Sequence, residues 1–280
     1  MVSEELFQSR RLRSFKAERI VLLIDNHNYV KSNCQGWNSN NNCNIVTNNS
    51  ADNDSTILDC IKSYLHVFIQ RKLRTAMKHE IAIISFDENN VILHTKFTTN
   101  DKTLNDSIRN IDNNDHIRNL LEKNSKSIVE ENSLNEIFNY VIDILELPSV
   151  SSSNDNINLR FILIYGRFYS PKISESIPRF LSNSWVYIDV LYLHPKVTKL
   201  DDDEENYDND RYQDIFDNLA TFQQLASQVD NDITEINYIF DSHNSSLKLS
   251  AIITALLAHS ATRETQHELL AKLDRKIAVV

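Results

Sequence analysis

At 280 residues the chain is long enough for one large α/β domain of roughly 200–250 residues plus tails. A formal net charge of −10 excludes broad electrostatic recognition of nucleic acid, which rests on clustered Lys and Arg. With only Gly36 and Gly166 as glycines, the glycine-rich phosphate loops are excluded as well, because there the backbone must approach phosphate with no Cβ in the way.

Residues 1–17 form a polar arm whose basic cluster, Arg10, Arg11, Arg13 and Lys16, is too short to define a site. Glu4, Glu5 and that cluster interrupt the only candidate apolar start, so no secretory signal is expected. Glu18 to Asn28 places a β-branched and leucine run before Asp25 and polar loop residues. This predicts a buried parallel strand with Asp25 at its carboxyl end, where α/β sheets hold ligands. Residues 31–54 are rich in Asn and Ser without periodicity and read as a flexible insertion. A helix is predicted from Ser55, capped by Asp54 or Ser55, with Ile57, Leu58, Ile61, Leu65, Phe68, Ile69 and Leu73 on one face. Glu80 to Phe86 reads as a second strand and Val91 to Phe97 as its antiparallel hairpin partner.

Residues 101–131 carry a dilute helical stripe, and Ser133 to Leu147 a clear one closed by Pro148. Leu159 to Tyr165 is a third buried strand, ending in Gly166 and Arg167. Pro171 fits the start of a short helix reaching Leu181, shortened or kinked by Pro178. Trp185 to Leu193 is a fourth buried strand, so Trp185, Tyr187 and Tyr192 read as packing residues. Asp201 to Asp210 reads as a solvated acidic loop, Tyr212 to Ser227 as a helix, Glu235 to Phe240 as a short strand and Leu247 to Leu257 as an apolar helix. That last run carries Lys248 and falls short of the roughly 20 residues a bilayer needs, so a soluble chain without membrane contact is expected. Alternating strands and helices predict a mostly parallel sheet, with one antiparallel edge strand and helices on both faces.

The candidate chemistry is sparse. Cys34, Cys43 and Cys60 are an odd set that suits a reducing compartment, and a zinc site on Cys34 and Cys43 would need two further ligands. His27 beside Asp25 invites an acid/base reading, but no nucleophile accompanies it. Asp241-Ser242-His243 looks like a triad in miniature; residues adjacent in sequence seldom form one, and a helix start capped by Ser242 or Asn244 is expected instead. Beyond the domain helices, Leu269, Leu270, Leu273 and Ile277 continue at amphipathic spacing before Val279. This stripe suits either an extra helix on the chain's own sheet or a segment that docks on another subunit.

Five stretches carry a family resemblance: Glu18 to Asp25, Lys78 to Asp87, Leu159 to Arg167, Val186 to His194, and Leu256 to His259. In this order and spacing the chain resembles a von Willebrand A domain over roughly Glu18 to Ala261. More specifically, it resembles the BRISC and BRCA-A complex member one family, the A-domain scaffold subunits of deubiquitinase assemblies. The Asn-rich insertion after Tyr29 looks longer than that family carries, and the arm shows no tankyrase-type peptide. The resemblance implies an A-like domain over 18–262, an arm over 1–17 and a partner-binding tail over 263–280. It implies no enzyme activity and no cofactor. Lysine-linked polyubiquitin would be cleaved by a separate zinc metalloprotease subunit that works with a pseudo-enzyme partner. The tail would engage a ubiquitin-conjugating-enzyme-variant scaffold subunit through Leu269, Leu270, Leu273, Ile277 and Val279. Localisation would be cytoplasmic and nuclear, with roles in signalling and the DNA-damage response.

A metal-binding A domain carries Asp-x-Ser-x-Ser after its first strand, whereas His27 and Tyr29 stand in the serine positions here. Imidazole and phenol are poor ligands for a hard, octahedral cation. The expectation is a degenerate motif at Asp25, His27 and Tyr29 that holds no metal, with Asp25 shaping its loop. The rival is a metal-dependent, adhesion-type A domain.

Overall fold

The computed structural model describes residues 17–27, 56–75, 78–113, 117, 120, 125–127, 133–147, 157–173, 177–183, 185–194, 205–226, 237–243, 246–259 and 263–277. The arm up to Lys16, the whole of the Asn-rich insertion with Cys34 and Cys43, Tyr29 and Val279 lie outside these residues. Strand β1 (Ala17–Asp25) is buried throughout from Ile20 to Asp25, the burial that a continuous aliphatic run implies. It pairs in parallel with β2 (Glu80–Phe86), in register from Arg19↔Glu80 to Asp25↔Phe86. On its other side it pairs in parallel with β5 (Ile157–Tyr165), which pairs with β6 (Val186–His194), which pairs with β7 (Ile239–His243). Strand β3 (Asn90–Thr98) is antiparallel to β2, and the three-residue β4 (Ser125–Ser127) adds outside it. The sheet order is β4-β3-β2-β1-β5-β6-β7.

Alternation of Cβ direction divides the core into two layers. Ile20, Leu22 and Ile24 meet helices α1 (Ile57–Leu73), α2 (Asp101–Arg109) and α5 (Ser246–Leu256) on one face. Val21 and Leu23 meet α3 (Leu134–Ile144) and α4 (Glu205–Ala226) on the other. Phe138 there packs against Phe161 and Phe222, with ring centroids 5.2 and 5.1 Å apart. The result is a three-layer sandwich with helices on both faces.

Several elements differ from the sequence reading. Helix α1 starts two residues later than expected, at Ile57, because Thr56 and Asp59 form a capping box that satisfies two backbone donors reciprocally. The dilute stripe over 101–131 shows, among the described residues, α2, helical backbone at Ile117 and Leu120, and the short β4. Helix α3 ends before Pro148: Glu146 takes a left-handed φ of 52°, and the Leu147 amide returns to the Ile142 carbonyl at 3.0 Å, so a backbone cap closes it. Of the helix expected from Pro171, the described residues show only a 3-10 turn, Arg179–Ser182. Lys172 is taken up in a parallel bridge with Ser133, and Pro178 supplies the carbonyl that opens the turn. Helix α4 begins at Glu205, inside the run read as a solvated loop; acidic residues suit the positive end of a helix dipole, though they carry no apolar periodicity. Asp241, Ser242 and His243 do not start a helix, since they pair with Tyr192, Leu193 and His194 as the continuation of β7.

Candidate functional site

Asp25, the last residue of β1, has no exposed surface. Its carboxylate accepts from the Gly166 amide at 3.1 Å and from Arg167 Nε at 3.1 Å to both oxygens. It also accepts from the His27 amide at 3.2 Å, which fixes the turn leaving the strand in an Asx-type arrangement. The parallel pairing of β1 with β5 brings the ends of both strands together and so delivers Gly166 and Arg167. Arg167 is itself 1% exposed, with its guanidinium carbon 5.0 Å from the Phe86 ring centroid, 5.8 Å from that of Tyr169 and 6.0 Å from that of Tyr165.

Burial raises the Asp25 carboxyl above its usual range, while the Arg167 charge and the Gly166 amide pull it down. Burial also opposes the Arg167 charge, yet Asp25 beside it holds the guanidinium above its ordinary value. The pair is ionised, because arginine keeps its proton and a neutral Asp25 would leave a bare cation in the interior. A fixed guanidinium thus faces the aspartate on which a metal-dependent A domain would seat its cation. Among the described residues, no three His, Cys, Asp or Glu side chains converge as a metal site requires.

His27 Nε2 lies 2.8 Å from Glu88 Oε1, and its ring meets Tyr169 edge-on at 5.6 Å. The Glu88 contact ties the β1 turn to the β2–β3 hairpin. Arg167 escaped the sequence reading as a partner. The available signal was a cation directly after a buried strand, opposite an aspartate at the same sheet end.

A second buried cluster lies at the opposite, amino end of the sheet. Asp189 accepts from Arg160 Nε at 2.6 Å, from Arg263 Nη1 at 2.6 Å and Nη2 at 2.8 Å, and from the Tyr238 amide at 2.9 Å. Glu18 pairs with Lys72 Nζ at 2.5 Å. The carboxyl end of α5 faces the same cations: the Leu257 carbonyl accepts from Lys72 and the Ala258 carbonyl from Arg160 and Arg263. The negative pole of that helix therefore offsets the surplus of cations. Glu18, Arg160 and Asp189 each interrupt an apolar strand, and a charge inside such a run demands a buried partner. That was the signal the sequence offered.

Burial would raise the Glu18 carboxyl, but Arg160, Lys72 and His259 bring it down to about 2. His79 accepts the Glu18 amide on Nδ1 at 3.0 Å, a bond that requires that nitrogen unprotonated. Burial and the Lys72 charge hold His79 at about 4. An unfolded histidine with pKa 6.5 takes a proton that the folded one refuses, so His79 makes stability fall between pH 6.5 and about 4. Glu18, depressed from 4.5, contributes stability above that value that is lost as pH falls towards 2. The urea midpoint should therefore decline steadily once the pH drops below about 6.5. In His79→Gln the decline should begin only near 4.5, the Glu18 window.

The tail residues divide. Thr265 and Glu268 form a capping box for α6 (Gln266–Ile277), with Thr265 N donating to Glu268 Oε2 at 3.1 Å and Glu268 N to Thr265 Oγ1 at 3.3 Å. The boundary expected at 262 falls inside the packed body, because Arg263 is buried against Asp189. Leu269 packs against the chain's own core, whereas Leu270 is 37% exposed. Val279 lies outside the described residues, and of Leu273 and Ile277 only the helical backbone is described.

No family model matches the chain, and no curated protein sequence does. Similar solved structures include the SpRpn10 VWA domain, at 11% identity, 86% of this chain, 95% of that one and a TM-score of 0.46. BatB from Bacteroides thetaiotaomicron, a conserved hypothetical protein, is similar at 10% identity, 92% of this chain, all of that one and a TM-score of 0.49. Proximal thread matrix protein 1 from the mussel byssus is similar at 8% identity, 86% of this chain, 47% of that one and a TM-score of 0.48. The fold is von Willebrand A-like. The strand order itself carries that statement: a parallel sheet centred on β1, with β3 antiparallel beside β2.

Proposed function

We propose that this A-like domain is a non-catalytic scaffold that positions other proteins. The observation behind this is the Asp25–Arg167 pair, which fills the carboxyl end of the central strand with a buried salt bridge. A carboxylate committed to a guanidinium, an amide and its own turn is a structural group, since its lone pairs are already taken. What the chain then offers partners is its outer surface. No helix among the described residues is long and apolar enough to cross a membrane.

The finer reading rests on the resemblance of the five stretches. The chain would be a BRISC-type deubiquitinase subunit, present in cytoplasm and nucleus. It would bind a ubiquitin-conjugating-enzyme-variant scaffold subunit, with the metalloprotease subunit and its pseudo-enzyme partner in the same assembly. Affinity purification of the full chain from its source cells, with the co-purifying subunits identified, tests this. Absence of a metalloprotease deubiquitinase and its ubiquitin-conjugating-variant partner would overturn the assignment.

The fold also says how to probe the tail. Truncation at residue 264 removes Gln266 and Leu269, both engaged with the body, and would confuse misfolding with lost binding. Leu270→Asp alters an exposed position instead. It should leave the unfolding free energy from urea titration within roughly 0.5 kcal/mol of the parent, as surface substitutions do, and abolish co-purification of the scaffold partner. Retained co-purification would remove Leu270 from the binding surface.

A further inference from the structure

Among the described residues, β7 is the last strand on its side of the sheet. Val190 donates its amide to the Tyr238 carbonyl at 2.8 Å, so Tyr238 faces β6 and Ile239 turns its N–H and C=O to the outer edge. Both of those outward groups are taken by one side chain. Ile239 N donates to Gln266 Oε1 at 2.7 Å, and Gln266 Nε2 donates to the Ile239 carbonyl at 2.7 Å. A primary amide used in this way reproduces the two-point pairing that one residue of a neighbouring strand would make. The segment that carries it is strongly held. Arg263 lies across the Tyr238 ring at 4.5 Å while bonded to Asp189, and the Tyr238 hydroxyl donates to the Glu264 carbonyl at 2.9 Å.

We propose that residues 263–266 are a plug for the free edge of the sheet, and that without the Gln266 amide two copies of the chain pair through β7. An open strand edge presents unpaired donors and acceptors that template pairing with another chain. The identical edge of a second copy offers complementary groups in antiparallel register. Gln266 breaks that self-complementarity by satisfying Ile239 within the chain.

The test uses the full chain with Gln266→Leu, which keeps an apolar stem and loses the amide, and Gln266→Ala as a second variant in case the first disturbs packing. Far-UV circular dichroism identifies the folded variant, and sedimentation velocity over a range of concentrations reads its association. Hydrogen exchange at the Ile239 amide is measured at the lowest and highest concentrations. The expected result is a sedimentation coefficient that rises with concentration more steeply than in the parent. Ile239 should exchange roughly tenfold faster than in the parent when dilute, and regain protection when concentrated. A folded variant that associates no more than the parent overturns the proposal, whether or not Ile239 stays protected. So does association without renewed protection of Ile239, which would place the contact elsewhere.

Discussion

Replacing Asp189 with asparagine should cost about 3–5 kcal/mol, the usual penalty for leaving buried charge uncompensated, and bring the chain close to unfolding. The substitution preserves shape and removes only the charge, so the loss reads the electrostatics directly. Asp189 holds two guanidinium groups, both donating to it within 2.8 Å, and neither can shed its proton to adapt. Total stabilities of about 5–15 kcal/mol leave little margin for such a loss. Arg263→Met should be milder, because Asp189 keeps Arg160 as a partner and the methionine fills much of the vacated stem volume. Urea unfolding followed by circular dichroism gives both values. If Asp189→Asn costs less than about 1 kcal/mol, the level of an exposed pair, the buried cluster does not hold the sheet's amino end as described.

The second large effect is expected at the opposite end. Asp25→Ala should cost about 3–5 kcal/mol by stranding Arg167 in the interior. The pair Asp25→Leu with Arg167→Met should recover most of that loss, because an apolar substitute for a buried ion pair is often neutral or stabilising. Measured with its own singles, Asp25→Leu and Arg167→Met, this pair completes a cycle that separates two readings of Asp25. As half of a structural salt bridge, it gives a large coupling energy between the two positions, and magnesium leaves the thermal midpoint of the parent chain unchanged. As a metal ligand, it gives a midpoint that rises with magnesium and loses that response in Asp25→Ala. Magnesium-dependent stabilisation that requires Asp25 would overturn the scaffold reading.

How much of this was legible depended on the range of the interaction. The strands were legible because Ile20–Ile24, Ile81–Ile84, Phe161–Ile164 and Val190–Leu193 are runs whose burial on both faces leaves no other reading. Helix α4 was legible only from Tyr212 onward, where the apolar spacing begins; its acidic first turns carry a dipole preference and no pattern. The stretch Asp241-Ser242-His243 was misread as a helix entry because Ser242 in a polar tripeptide looks like a cap, and only the neighbouring strand shows that it is a ladder. The ion pairs were out of reach for a different reason. Arg167 lies 142 residues from Asp25, and Arg263 lies 74 from Asp189, so the sequence showed charges in apolar surroundings without saying which would meet. Once the sheet order is known, the Asp25–Arg167 and Arg160–Asp189 pairings follow from the adjacency of β1, β5 and β6, whereas Arg263 comes from outside the sheet.

The clasp at the amino end of the sheet also bears on the order of assembly. Asp189 and Arg160 belong to strands made early, whereas Arg263 is supplied from beyond β7 and α5. A chain emerging from the ribosome can therefore pair β1, β2, β5 and β6 while the base of the sheet still lacks its last cation. Contacts that wait for such a distant residue tend to form after the transition state, so their loss accelerates unfolding more than it slows folding. Arg263 would then govern how long a finished molecule lasts, with little influence on how quickly it is made.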